Sequence, residues 1–212
     1  MSWEAGSLAV LVLVLALGFG WYERSHPSAK VLALVATLAA LAALGRIAFA
    51  PIPNVKPTTD IVLLAGYVLG GAPGFAIGAL GALASNLVFG QGAWTPWQMG
   101  AWGVIGVLGA TLAALAGRDL GRWPLALVCG AAGLFHGLVM DFSSWVMFSG
   151  QHTLGQFLVI SAGSASFNIA HAVGNVAFCL AFGPAFVRAL QRFRARLEVR
   201  WQPVPLPTPT TS

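Results

Sequence analysis

The chain has 212 residues, of which 58% are hydrophobic and only 8% charged, with a mean hydropathy of +0.81. A water-soluble fold of this composition would expose large apolar areas, so the sequence reads as an integral membrane protein. The formal charge of +5 does not indicate nucleic acid, because most basic residues flank apolar spans or fall in one tail, where topology accounts for them.

Apolar segments fall at roughly 5–22, 29–50, 59–70, 73–90, 97–117, 123–148 and 156–187, divided by Gly, Pro or charged clusters. Their length and composition predict an all-α membrane protein, since a helix satisfies its own backbone in lipid, whereas a β-barrel would show short alternating segments. The first segment lacks a basic leader and follows Glu4, so residues 1–28 are expected to form an N-terminal transmembrane anchor rather than a cleaved signal. A six-helix substrate-binding membrane domain is expected over 29–196. The Pro/Thr-rich stretch 197–212, ending "QPVPLPTPTTS", is expected to be a disordered cytoplasmic tail.

The third and fourth segments are one kinked helix or two short helices joined at "GGAPG". Charge decides between them. With Arg24 and Lys30 inside, a hairpin also puts Arg118, Arg122 and the tail arginines inside; a single crossing would put them all outside. The hairpin reading gives seven hydrophobic elements, with the N-terminus outside and the C-terminus in the cytoplasm. "APIPNVKPTTD", "FGQGAWTPWQ" and "FSGQHTLGQ" then lie at the outer face.

Small residues recur at helical spacing at Gly74, Gly78, Gly81 or Ala82, and Ser85, and again at Gly103, Gly106, Ala110 and Ala113, which suits close helix packing in lipid. Ala36, Ala39, Ala40 and Ala43 form Ala-x-x-x-Ala pairs on an otherwise featureless helix, a surface suited to a partner helix. On the last helix Ser161, Ser164, Asn168, His171 and Asn175 share one stripe. That stripe is either interhelical hydrogen-bond glue or the wall of a wet cavity. Asp141 is either a ligand contact or an ion-pair partner of Arg46 or Lys56. Thr58 or Thr59 is expected to cap the third helix, with Asp60 favoured in its first turn by the helix dipole. Trp94 and Trp97 either anchor the chain at the membrane interface or wall a pocket.

Cys129 and Cys179 lie within apolar spans without CxxC spacing and read as small core residues. His26, His136, His152 and His171 show no metal-ligand spacing, so no metal site is expected. There is no GxxxxGK[ST] segment, so any ATP-driven activity needs another subunit. An intramembrane hydrolase is the competing enzyme reading, because "AHAVGNVAF" and "SAGSAS" superficially resemble rhomboid proteases; Ser164, Ser166 and His171 on one helix do not make a dyad. No catalytic residue and no cofactor are expected. A non-transporting structural membrane subunit is the other alternative.

The stretch "NVKPTTDIVLLAGYVLGGAPGFAIGALGALASN", with the alanine pairs before it and "WTPWQMGAWGVIGVLGA" after it, resembles the substrate-binding S component of energy-coupling factor (ECF) transporters. The likeness covers roughly Lys30 to Arg196. The resemblance implies a small prokaryotic cell-membrane protein that captures a vitamin or related micronutrient at its outer face. It also implies a transmembrane coupling subunit and two cytoplasmic ATPases as partners, with the docking contact on Ala36 and Ala40 or on Ala39 and Ala43. The extra N-terminal helix departs from the family pattern, and "MSWEAG" lacks the Met-x-His metal site of its cobalt and nickel members. An organic ligand is therefore expected. A pocket lined by Arg46, Asn54, Lys56, Asn86, Trp94, Trp97, Gln98, Asp141, Trp145, Asn168, His171 and Asn175 would combine stacking surfaces with amide and charged groups. Cobalamin or another corrinoid is the first ligand expected, and riboflavin or another heterocyclic vitamin the second.

Overall fold

The computed structural model describes residues 2–197. Seven helices occupy them: α1 (Trp3–Arg24), α2 (Ala29–Ala48), α3 (Thr58–Leu69), α4 (Gly71–Phe89), α5 (Thr95–Ala116), α6 (Arg122–Phe148) and α7 (Leu154–Leu197). No strand occurs among the described residues. Six of the helices are long and apolar enough to cross a membrane, which establishes an all-α membrane protein. The tail arginine Arg200 and the disorder expected of the Pro/Thr-rich stretch lie outside the described residues.

α3 has 12 residues, about 18 Å of helix, which is too short to span the hydrocarbon core alone. It is instead the central element of the bundle, packed by α2, α4, α5, α6 and α7, and nearly every residue from Thr58 to Val68 is buried. Of the two readings of this region, two helices rather than one kinked helix are found, and they are joined at Gly70, whose φ of 104° is open to glycine at no steric cost. The chain turns back there so that Gly74 of α4 meets Gly66 of α3, and both rest on Gly106 of α5. Backbones approach this closely only without side chains, and in lipid such packing replaces water exclusion as the cohesive force.

The bundle has two distinct ends. At one, Trp21 meets Gly71, the Tyr67 hydroxyl donates to the Gly117 carbonyl, and Arg194 donates to the Val68 carbonyl. Arg118, Arg122 and the basic end of α7 collect at this end. At the other, the start of α1 meets the α6–α7 connection, where Trp3 stacks on His152 with centroids 5.4 Å apart. The α2–α3 loop lies at this second end. α7 runs further than the sequence suggests, over 44 residues and through Pro184. At about 66 Å it outreaches a bilayer.

α1 packs against α4, α5 and α6, burying Leu11, Gly18 and Tyr22. Phe75 fills the space that a Cβ on Gly18 would need. The four alanines of α2 divide between two faces. Ala39 and Ala43 are buried, Ala39 against Gly81 of α4, whereas Ala36 and Ala40 are exposed on the outside of the bundle.

The capping expected at α3 is not what the threonines do. Pro57 occupies the N-cap position and makes no side-chain cap bond. Thr58 donates to the Ala42 carbonyl at 3.0 Å, and Thr59 turns toward α7. Both hydroxyls are buried, so interhelical acceptors take precedence over a local cap.

Candidate functional site

Beneath the α2–α3 loop, Arg46, Asn54, Lys56, Gln98, Trp102, His136, Gly137, Met140, Asn168 and His171 enclose a cavity of about 130 Å³. Asn54 and Val55 tie the loop to α7. Asn54, in the left-handed region at φ 57°, donates its amide to the Phe167 carbonyl at 2.7 Å, and Val55 packs onto Gly174.

Arg46 closes α2 and turns inward. Its Nη1 donates to Ser85 Oγ and to Asn86 Oδ1, each at 2.7 Å. The guanidinium lies 4.7 Å from the Phe89 ring centre and 5.2 Å from that of Trp102, within cation–π range of both. Asn86 passes the network on, donating to Gln98 Oε1 at 2.8 Å. These partners are all neutral, so the Arg46 charge is oriented but not cancelled. Lys56 is the second cation on the cavity wall. Burial, and secondarily the charge of Arg46, pull its ammonium from an ordinary value of 10.5 down to about 8.

Beside these cations the wall is aromatic. Trp102 and His136 stack with centroids 4.2 Å apart, and His136 meets His171 edge-on at 5.4 Å. Trp102 Nε1 donates to Thr59 Oγ1 at 3.1 Å, and Thr59 Oγ1 lies 3.0 Å from His171 Nε2. Arg46 Nε, His136 Nε2 and His171 Nδ1 are buried without a partner. Buried polar atoms are ordinarily satisfied, so three orphans on residues around one cavity mark it as a place for a ligand or water.

Six of the twelve residues expected at the site line this cavity: Arg46, Asn54, Lys56, Gln98, Asn168 and His171. Asn86 and Asp141 stand behind it, Asn86 on Arg46 and Asp141 accepting from Asn168 Nδ2 at 3.0 Å. Asp141 is thus bonded to an amide, and neither Arg46 nor Lys56 is its hydrogen-bond partner. Asn175 is deeper. Its amide satisfies its surroundings when Nδ2 donates to the Lys56 carbonyl at 3.0 Å and to Asp60 Oδ2 at 3.2 Å.

The tryptophans expected at the site lie elsewhere. Trp94 is partly exposed beside Gly92. Trp97 packs with Leu11 and Val146 and edge-on to Phe142. Trp145 donates to the Thr153 carbonyl within an aromatic cluster of Trp3, Phe142, His152 and Phe157. The stacking surface in the cavity is instead Trp102, with His136, Gly137 and Met140 also unanticipated there, and Thr59 holds Trp102 and His171 from behind. Two spacings hint at them, Gln98 to Trp102 and His136 to Met140, each one helical turn.

The serines beside His171 do not engage it. Ser164 donates to the Ser161 carbonyl and accepts from Asn168, while the His171 ring bonds Thr59. Comparison with family models, with curated proteins and with solved structures found no match.

Proposed function

We propose that this chain is the substrate-capture subunit of an ECF-type importer and that its ligand is a small organic anion with a flat portion. One observation carries the ligand class: Arg46 and Lys56 face the same 130 Å³ cavity, and the hydrogen bonds of Arg46 run only to neutral groups. Two cations side by side out of water are costly, and an anion between them offsets that cost. Trp102 and His136 offer a stacking surface, and the free ring nitrogens and amides of His171, His136, Gln98 and Asn168 supply orienting hydrogen bonds.

Size narrows the choice. Pockets for drug-sized ligands occupy about 300–1,000 Å³, so this cavity suits a carboxylate on a single ring. A corrinoid or riboflavin would require the Phe49–Pro57 loop to lift away. The S-component reading adds the setting: a prokaryotic cell membrane, the loop end outside, the basic end in the cytoplasm, and coupling and ATPase subunits that drive release.

Mass spectrometry of the small molecule that survives purification in mild detergent tests the ligand, and co-purification of ATPase subunits tests the importer. A bound monocyclic carboxylate, lost in Arg46→Gln, is the expected result. A neutral or cationic occupant overturns the ligand class, and failure of any ATPase subunit to co-purify from the native membrane overturns the importer reading.

A further inference from the structure

Cys129 of α6 and Cys179 of α7, some fifty positions apart in sequence, converge on the first turn of α3. Each Sγ and a carboxylate oxygen of Asp60 lie within 4.8 Å of one another, and all three residues are buried. The two thiols are free. Asp60 is only 3% exposed, and its Oδ1 has no hydrogen-bond partner. A buried carboxylate left half-satisfied between two sulfurs is unexpected in an apolar core unless something else completes it.

We propose that Asp60, Cys129 and Cys179 form an intramembrane site for a single thiophilic divalent cation of the zinc class. Two sulfurs and a carboxylate are a donor set that zinc accepts, and three protein ligands leave a fourth position open. Bond lengths of about 2.0–2.3 Å put tetrahedral donors about 3.3–3.8 Å apart, so a triangle with edges within 4.8 Å closes by up to about 1 Å on taking up the ion. Binding deprotonates both thiols and releases two protons, so the dication is held by one carboxylate and two thiolates with a net charge of −1.

The surroundings support the assignment. Asn175 donates to Asp60 Oδ2, fixing the carboxylate as outer-shell partners do for metal ligands. The same amide donates to the Lys56 carbonyl, and Lys56 lines the cavity above. Asn175 therefore stands between cavity and cluster, so an ion entering from the loop end passes it. On the lipid side, Asp60 and Cys179 border an apolar groove of about 240 Å³ lined by Leu41, Ile61, Phe178 and Phe182.

The test uses the full chain in detergent micelles with reduced thiols, titrated with Cd²⁺ alone and then with Zn²⁺ as competitor. One Cd²⁺ per chain, with a thiolate-to-metal charge-transfer band that Zn²⁺ displaces, is expected. Asn175→Ala should weaken binding about 10- to 100-fold, Asp60→Asn at least as much, and the Cys129→Ala/Cys179→Ala double variant should abolish the band. A folded wild type without the band, or a band that survives in the double variant, overturns the site. Should the variants fail to fold, the wild type decides alone: saturating Zn²⁺ should slow methanethiosulfonate modification of Cys179, and an unchanged rate overturns the proposal.

Discussion

Thr59 and His171 are joined by a hydrogen bond of 3.0 Å between Oγ1 and Nε2, and a third residue shares the same oxygen. Trp102 Nε1, which can only donate, already gives its proton to Thr59 Oγ1. A threonine hydroxyl can accept twice but donates once, and His171 Nε2 is the one acceptor among the hydrogen-bond partners of Thr59 Oγ1; the tautomer that satisfies the hydroxyl proton has Nε2 accepting and places the ring N–H on Nδ1, a nitrogen with no partner. Thr59→Val should strand both the Trp102 N–H and the His171 ring, at a cost of about 1–3 kcal/mol, and should weaken ligand binding; Thr59→Ser should restore both. Thermal unfolding in detergent together with ¹⁵N chemical shifts of the histidine ring checks this, and the Val variant should lose the single-tautomer signature.

Lys56 makes binding sensitive to pH. Its ammonium is drawn down to about 8 by burial and by Arg46, so it is charged below that pH and neutral above it. Affinity for an anion should be flat below pH 7 and fall as pH rises. At pH 9 about one chain in eleven keeps the charge, so affinity should drop about tenfold. Stability of the empty protein should move the other way. Between about pH 8 and 10.5 the unfolded chain binds more protons, so stability rises with pH across that window. Titrating the ligand at pH 6, 7, 8 and 9 by calorimetry tests the first sign; Lys56→Met should flatten the profile.

The glycine contact at the centre makes a sharp prediction about the fold. A Cβ on Gly66 would collide with the carbonyl of Gly106, a backbone atom that cannot swing aside, whereas a Cβ on Gly163 meets nothing within 4 Å. Gly66→Ala should therefore cost about 3 kcal/mol or more by forcing α3 from α5. Gly163→Ala, at an exposed helical site, should gain about 0.5–1 kcal/mol. Unfolding midpoints of the two variants in one detergent check the contrast.

Much of the architecture was legible because lipid leaves few options. Length, hydropathy and the placement of Arg118 and Arg122 were enough to predict seven elements and the division of the third from the fourth near Gly70. What they did not reveal was that α3 is enclosed on all sides, since a short apolar run carries no mark of its depth. For the site, the stripe on α7 and the charges at Arg46 and Lys56 pointed inward as read. The tryptophans misled because an aromatic near a helix end serves a belt, a core or a pocket equally well. Thr59 was hidden by a plausible local role at the helix start. The approach of Cys129 to Cys179 depends on the register of α6 against α7, which no local pattern encodes.

The division of the α2 alanines separates folding from assembly. Ala39 is buried against the backbone of α4 at Gly81, so Ala39→Leu should overpack that contact and cost about 1–3 kcal/mol of stability. Ala36 and Ala40 are exposed. Leucine at either should leave the unfolding midpoint unchanged, yet it would fill the small-residue surface a partner helix needs for close approach. Under the importer reading, Ala36→Leu and Ala40→Leu should therefore retain ligand but lose the coupling subunit in co-purification, whereas Ala39→Leu should lower the midpoint first. If Ala36→Leu and Ala40→Leu still assemble fully, the coupling subunit docks on another face, and the exposed alanines are ordinary lipid contacts.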